Sequence, residues 1–156
     1  MSHSQITQQD TLYLSMEPLD RDAMRDEVQD SHSGAVLVFE GTVRDHSEGL
    51  IGIVALEYEA QVSMADKVIA GIVEDVYRTT PVERITVRHR LGRVELGEAT
   101  IIIAVSAAHR DEAYRASRLI IDRIKHEAPI WKREILPDGS GQWSRGCTAR
   151  HETARK

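Results

Sequence analysis

Residues 125–134, Lys-His-Glu-Ala-Pro-Ile-Trp-Lys-Arg-Glu, require a change of backbone structure within a charged segment. Pro129 has no N–H to donate within a helix, and its ring disfavours helical geometry at Ala128. The sequence therefore predicts a helix with Lys125 in its last turn, followed by a strand that carries Lys132. This spacing is not a helical face, so only the tertiary fold can bring both amines into one pocket. Such a pocket suits an anionic ligand, a reactive carbonyl, or both.

Apolar and alternating segments predict strands elsewhere in the chain. Residues 84–91 alternate strictly, with Val87 and His89 on one face and Arg88 and Arg90 on the other. Residues 35–40 are a short apolar run, which predicts a strand buried on both faces. Residues 100–106 predict a central strand. Further strands are expected at 11–16, 53–59 and 130–135, and residues 45–52 read as a polar, mobile loop.

Helical periodicity predicts three helices, two of them long. Asp20 is placed to cap a short helix through about residue 29, with Met24 and Val28 on its buried face. Residues 63–78 carry a Ser63–Asp66 capping pair and a helical apolar stripe. Residues 111–127 form the other long helix. Its predicted buried residues are Tyr114, Ser117, Ile120, Ile121 and Ile124.

The irregular order of strands and helices predicts an α+β fold with a mixed or antiparallel sheet. Residues 11–143 are expected to form a single domain, between a flexible N-terminus (residues 1–10) and a mobile C-terminal tail (residues 144–156). The single cysteine, Cys147, excludes an intramolecular disulfide and favours the cytoplasm. No apolar run approaches the length of a membrane span.

Four groups of basic residues lie at or near the ends of predicted elements. Gly41-Thr42-Val43-Arg44 follows one apolar strand, and His109-Arg110 stands between the central strand and a helix N-terminus, where backbone N–H groups favour anions. Lys125 and Lys132 are the other two. Each has an ordinary structural explanation when taken alone, such as a surface ion pair or a helix-dipole contact. Together they predict a cationic pocket in a chain of net charge -5.

Other kinds of site find little support in the chain. Its seven histidines include no His-x-x-x-His pair, and no nucleophile-elbow motif surrounds a serine, so we expect neither a metal site nor Ser-His-Asp catalysis. An RNA-binding domain is disfavoured by the pI of about 5.8 and by the low aromatic content of 4%, since single-strand readers stack bases on aromatic rings. A non-catalytic module that binds an anion, or docks a carrier protein's tail, remains open.

Five motifs in order resemble the large, catalytic subunit of molybdopterin synthase, the MoaE family. They are Phe-Glu-Gly-Thr-Val-Arg at 39–44, Leu-Glu-Tyr-Glu-Ala at 56–60, His-Arg-Leu-Gly at 89–92, Ser-Ala-Ala-His-Arg at 106–110, and Ala-Pro-Ile-Trp-Lys-Arg-Glu at 128–134. The resemblance covers residues 11–143. Tyr114 stands where the family often has phenylalanine, and the segment after Trp143 matches no family pattern.

This resemblance implies an α/β hammerhead-type fold and a sulfurtransferase. A homodimer of large subunits would bind two small ubiquitin-like, MoaD-like carriers ending in Gly-Gly, giving a heterotetramer. Sulfur from the carrier's thiocarboxylate would pass to cyclic pyranopterin monophosphate and form the dithiolene of molybdopterin, with no further cofactor. Lys125 and Lys132 would be catalytic. The implied substrate-binding residues are Thr42, Val43, Arg44, His109, Arg110, Lys125, Lys132, Arg133 and Glu134.

Overall fold

The structure, a computed structural model, describes residues 11–144. Over this range ten strands and three helices follow one another without regular βα alternation, which confirms the α+β prediction. The helices are α1 (Arg21–Val28), α2 (Val62–Thr79) and α3 (Arg110–Glu127). The strands are β1 (Leu14–Ser15), β2 (Ala35–Thr42), β3 (His46–Ser47), β4 (Leu50–Ile51), β5 (Ala55–Ala60), β6 (Arg84–Arg90), β7 (Gly92–Glu95), β8 (Ala99–Ala107), β9 (Ile130–Ile135) and β10 (Trp143–Ser144). None of the described helices is long and apolar enough to cross a membrane.

The main sheet has the order β1–β6–β8–β2, with β1 parallel to β6 and the other pairs antiparallel. β8 lies inside the sheet and is buried along nearly its whole length, as predicted for residues 100–106. Successive side chains of a strand point to opposite faces. Ile101, Ile103 and Val105 belong to the core formed with α2 and α3, whereas the opposite face of the sheet contacts α1.

The helices cover both faces of this sheet. In α1, Asp20 Oδ1 accepts a hydrogen bond from the Ala23 N–H, and Met24 and Val28 are buried, all as predicted. The capping pair predicted for α2 is wrong, because the helix begins one residue earlier and Ser63 lies within its first turn. Asp66 instead accepts hydrogen bonds from the Thr11 hydroxyl (2.5 Å) and the Tyr13 N–H (3.2 Å), which connect the segment before β1 to α2.

Burial differs from the prediction at one position of α3. Tyr114 was predicted to be buried, but it is 62% exposed. The helix contacts the sheet through the small residues Ala113, Ala116 and Ser117 in its first half, and through isoleucines in its second half. Tyr114 lies at the border of this stripe in the second turn of the helix, so its ring extends beyond the core.

Two strands of the main sheet also differ from the prediction. β2 extends to Thr42 and is mostly half-buried rather than buried on both faces, because it is an edge strand that pairs only with β8. Only Leu14 and Ser15 of the predicted strand 11–16 pair with β6, and Leu12 is 61% exposed. An apolar sequence thus predicted the strands but not which of them would lie at an edge.

A second antiparallel sheet has the order β10–β9–β5–β7. Its central pair places Tyr58 opposite Lys132 and Leu56 opposite Glu134. β3 and β4 form a separate hairpin within the segment predicted to be an irregular loop, and the predicted mobility of that segment stays a prediction. Ser144, the first residue of the predicted tail, pairs with Lys132. The rest of the tail and residues 1–10 lie outside the described residues.

Candidate active site

A cavity of about 460 Å³ lies where the two sheets meet the C-terminal end of α3. Its walls combine strand residues from β2, β5, β8 and β9 with the β3–β4 hairpin. The lining residues are Phe39, Gly41, Thr42, Arg44, His46, Ser47, Glu48, Ile53, Leu56, Tyr58, Thr100, Ile101, Lys125, Lys132, Glu134 and Ser144. Three of the basic residues expected in a cationic pocket, Arg44, Lys125 and Lys132, line this cavity. Among the described residues, no group of three or more His, Cys, Asp or Glu side chains could hold a metal ion.

The change from helix to strand at Pro129 brings the two lysines together. α3 ends at Glu127, and the Ala128 N–H closes its last turn on the Ile124 carbonyl. The Pro129 carbonyl accepts a hydrogen bond from the Gln61 N–H, which fixes the start of β9 beside β5. Lys125 therefore approaches the cavity from the helix end and Lys132 from the strand, and both line it as the sequence required.

Lys132 has a carboxylate neighbour on its own strand. Lys132 Nζ lies 3.8 Å from Glu134 Oε1, and the two side chains are 28% and 15% exposed. This pairing matches the alternation predicted for residues 130–135, with Trp131 and Arg133 on the other face. Glu134 is the better shielded partner, so removing the lysine charge would leave a poorly solvated carboxylate.

We expect Lys132→Ala to lower the free energy of unfolding by about 1–2 kcal/mol, because it leaves the half-buried Glu134 carboxylate without its neighbouring positive charge. Lys132→Ala/Glu134→Gln should recover most of that loss, since the amide carries no charge. Urea unfolding of both variants and of Glu134→Gln alone completes a double-mutant cycle. A cycle with no coupling between the two positions would contradict a stabilising ion pair between Lys132 and Glu134.

Gly41 and Arg44 enter the cavity from the end of β2. Gly41 does not use the left-handed region, since its φ is not positive. Its role is a close approach: a Cβ there would lie 3.1 Å from both Ile101 Cγ2 and Thr100 Oγ1. The Thr100 hydroxyl donates to the Gly41 carbonyl, and the register of β2 on β8 shifts between Gly41 and Thr42. This irregularity turns the chain so that Thr42 and Arg44 line the cavity.

Four predicted site residues lie outside the cavity of the single chain. Val43 is 3% exposed, and its backbone bonds to Gly97 and Glu98. The Arg133 guanidinium donates to the Gly139 carbonyl at 2.8 Å and does not line the cavity. His109 and Arg110 are exposed and follow the C-terminal end of β8. Thr100 and Ile101, near the N-terminal end of the same strand, line the cavity. At about 3.3 Å per residue, roughly 25 Å of strand separates these two ends.

A smaller recess of about 40 Å³ lies behind the lysines and shares several residues with the main cavity. We call it the inner recess. Its polar lining residues are Tyr58, His89, Thr100, Lys125 and Lys132, and its apolar lining residues are Ile101, Ile121, Ile124, Ala128 and Ile130. The alternation of residues 84–91 placed His89 on the same strand face as Val87 but did not connect it with the site. Neither did it find Tyr58, because both assignments require the pairing of distant strands.

His89 is held in one orientation and is 8% exposed. Its Nδ1 lies 2.7 Å from the Arg90 carbonyl oxygen, and its ring meets the Tyr58 ring edge-on with centroids 4.8 Å apart. Burial, with a smaller contribution from the Lys125 charge, lowers the pKa of His89 from 6.5 to about 4, although the bond to the Arg90 carbonyl opposes both effects. The imidazole is therefore neutral at neutral pH.

The lowered pKa of His89 predicts acid sensitivity of the fold. As pH falls below 6.5, the unfolded chain binds a proton at this position and the folded chain does not, until about pH 4. This contribution to stability is complete above that window and is lost progressively on acidification. Between about pH 7.5 and pH 5 we expect a loss of about 2 kcal/mol from this group. Urea unfolding of wild type and His89→Gln should differ in this pH slope; equal slopes would contradict the assignment.

Comparison with known proteins identifies the family. The family model described as "MoaE protein" matches residues 14–127. The chain belongs to the MoaE family. Among its relatives, the molybdopterin synthase catalytic subunit of Thermoplasma volcanium is 40% identical over 142 residues, which cover 91% of this chain and 97% of the relative.

Solved structures share the family fold. The crystal structure of molybdopterin synthase from Staphylococcus aureus is 36% identical, covers 85% of this chain and 96% of its own, and superposes with a TM-score of 0.79. A protein–protein complex of subunits 1 and 2 of molybdopterin-converting factor from Helicobacter pylori is 21% identical, covers 85% and 88%, and has a TM-score of 0.70. The latter likeness concerns the fold alone. The predicted resemblance to the MoaE family is thus confirmed.

Proposed function

We propose that this chain is the catalytic subunit of a molybdopterin synthase, a sulfurtransferase that moves sulfur from a carrier's C-terminal thiocarboxylate to cyclic pyranopterin monophosphate. The observation that carries the proposal is the convergence of Lys125, Lys132 and Arg44 on one cavity in a member of the MoaE family. Both reactants are anions at their recognised groups, a phosphate and a thiocarboxylate. Cations in a partly desolvated cavity bind such groups through strong, charge-assisted hydrogen bonds.

The two lysines suit the sulfur-transfer end of the cavity. Their amines approach from different elements, α3 and β9, so they can flank a carrier tail that enters between them. In this proposal both hold the thiocarboxylate and the reacting carbon centre. The sulfur attacks that carbon, the C–S bond forms as a C–O bond of the cyclic phosphate ring opens, and Lys125 acts as general acid–base on the oxygen that leaves. Glu134 lies beside Lys132 and orients its amine. Water then cleaves the acyl–sulfur bond and returns the carrier's carboxylate, so the large subunit needs no nucleophilic cysteine of its own.

Arg44, His109 and Arg110 are assigned to the phosphate and pterin end. Arg44 lines the same cavity as the lysines. His109 and Arg110 lie beyond the opposite end of β8, so a single chain offers only one of these three basic residues to the substrate. A second copy of the chain is therefore part of the proposal: its α3 N-terminus would supply His109 and Arg110 at the cavity mouth. The half-buried apolar edge strand β2 supports such a homodimer, since a partner copy would cover it.

Thr42, Val43 and Arg133 complete the proposed binding walls in different ways. Thr42 lines the cavity directly. Val43 contributes through the backbone hydrogen bonds that fix the segment before Arg44. Arg133 contributes through its hydrogen bond to the turn at residues 136–141, after which Ser144 lines the cavity. A small ubiquitin-like carrier ending in Gly-Gly is the proposed partner. The two-subunit Helicobacter pylori complex, which has the same fold, supports a partner of this kind.

A reconstitution assay tests the function. The purified chain would be mixed with a thiocarboxylated ubiquitin-like carrier and cyclic pyranopterin monophosphate, and the dithiolene product followed as its oxidised fluorescent derivative. We expect product that depends on both reactants. Absence of product, with a carrier that is competent with a known synthase, would overturn the proposal. Binding of both reactants without turnover would instead favour the non-catalytic docking module.

A further inference from the structure

The proposed chemistry leaves one buried titratable side chain beside the lysines without a role. His89 lies on β6, and it lines the inner recess together with Lys125 and Lys132. The C-terminal part of α3 forms one wall of this recess through Ile121, Ile124 and Lys125. A buried imidazole in this position is placed to act on the amine rather than on the substrate.

The bond to Arg90 decides which ring nitrogen can do so. A carbonyl oxygen only accepts hydrogen bonds, so Nδ1, 2.7 Å from the Arg90 oxygen, carries the proton of the neutral ring. Nε2 then holds a lone pair and is the ring's acceptor. The edge-on contact with Tyr58 fixes the plane of the ring. An ammonium group is a donor only, so this acceptor is complementary to a lysine.

We propose that His89 is a positioning residue for Lys125: its Nε2 accepts a hydrogen bond from the Lys125 ammonium, directly or through one water in the inner recess, and so fixes where the amine lies in the cavity. The inference deepens the proposed function and rests on it. The recess, about 40 Å³, has room for one such water, which needs roughly 10–15 Å³. Its apolar walls strengthen hydrogen bonds made inside it.

Charge and pairing favour Lys125 over Lys132 as the partner. The Lys125 charge contributes to the lowered pKa of His89, although less than burial does, and both side chains line the inner recess. Lys132 already has Glu134 beside it. Because the pKa of His89 is about 4, the ring is a weak base at neutral pH. It therefore accepts a hydrogen bond from the ammonium without taking its proton.

Two variants of similar size separate positioning from a purely structural role. In His89→Gln the amide reaches the place of Nε2, whereas in His89→Asn it reaches only the place of Nδ1 and retains the bond to Arg90. We expect His89→Gln to keep most of the wild-type kcat, and His89→Asn to lose about ten- to a hundredfold of kcat with little change in the KM for the carrier. Equal losses in the two variants, or a loss confined to His89→Gln, would overturn the proposal.

A second readout does not depend on turnover. Labelling with a trace of acetic anhydride, followed by mass spectrometry, gives the reactivity of Lys125 relative to Lys67, which is exposed on α2. We expect His89→Asn to change this ratio several-fold and His89→Gln to preserve it. An unchanged ratio in His89→Asn would refute the positioning role even if wild type proved inactive in the reconstitution assay. If wild type forms product, and His89→Asn and His89→Gln have the same kcat and the same labelling ratio, the positioning role is refuted while the proposed function stands.

Wild-type protein provides a test that needs no His89 variant to fold. Nitrogen-15 NMR of the histidine ring should show Nδ1 protonated and Nε2 unprotonated at neutral pH. Replacement of Lys125 by methionine should shift the Nε2 resonance, because it removes the donor. A protonated Nε2, or an Nε2 chemical shift that is the same in wild type and Lys125→Met, would exclude the proposed hydrogen bond.

Discussion

Lys125→Ala should lower turnover by at least about a hundredfold, within the range that a general acid–base contributes. Lys125 reaches the cavity from the C-terminal end of α3, and it also lines the inner recess. Its loss would remove both a cation for the thiocarboxylate and the proposed proton donor. Lys125 is exposed, so its replacement by alanine removes few packing contacts. The cation at the C-terminus of α3 contributes only about 0.3–1 kcal/mol to stability through the helix dipole.

The measurement compares initial rates of dithiolene formation in wild type and Lys125→Ala, together with the urea midpoint of each. Lys67→Ala is the matched control, because Lys67 is exposed on α2 and does not line the cavity. It should retain full activity. Near-normal activity of Lys125→Ala would reject its catalytic role. A midpoint that falls as steeply as the activity would assign the residue to the fold instead.

Local sequence signals predicted the part of the site that local structure determines. Pro129 alone showed that Lys125 and Lys132 belong to different elements, since a proline cannot continue the helix. The two long helices and six strands were also predicted, with boundaries within two residues for β8, β9, α2 and α3, whereas β3, β4, β7 and β10 were not predicted. Each of the predicted elements shows a strong period or a clear terminating residue.

Local sequence patterns could not predict which residues from distant strands line the cavity together. Tyr58 and Lys132 become neighbours through the pairing of β5 with β9, two strands far apart in the chain. His89 reads in sequence as one more inward residue of an alternating strand, and only the tertiary fold puts it behind Lys125. Edge position likewise depends on the order of strands in the sheet, which is why the apolar β2 was taken for a fully buried strand.

Mixing two impaired variants of the chain should restore activity if His109 and Arg110 act across a dimer. Arg110→Ala removes one proposed phosphate contact, and we expect it to lower kcat/KM by at least about tenfold, as loss of a charge-assisted hydrogen bond does. Lys125→Ala disables the other half of the same site. In a dimer with two-fold symmetry that contains one chain of each kind, one site combines both replacements and the other has neither.

Random assembly of equal amounts makes half of the dimers mixed, so about a quarter of wild-type activity should return. The two variants would be co-refolded, assayed below the substrate KM, and compared with each variant mixed with the double variant Lys125→Ala/Arg110→Ala, where no intact site can form. Activity that stays at the average of the two parents would place Arg110 outside any shared site. Because the cavity and the N-terminus of α3 lie at opposite ends of β8 in one chain, recovery could come only from a site built by two copies.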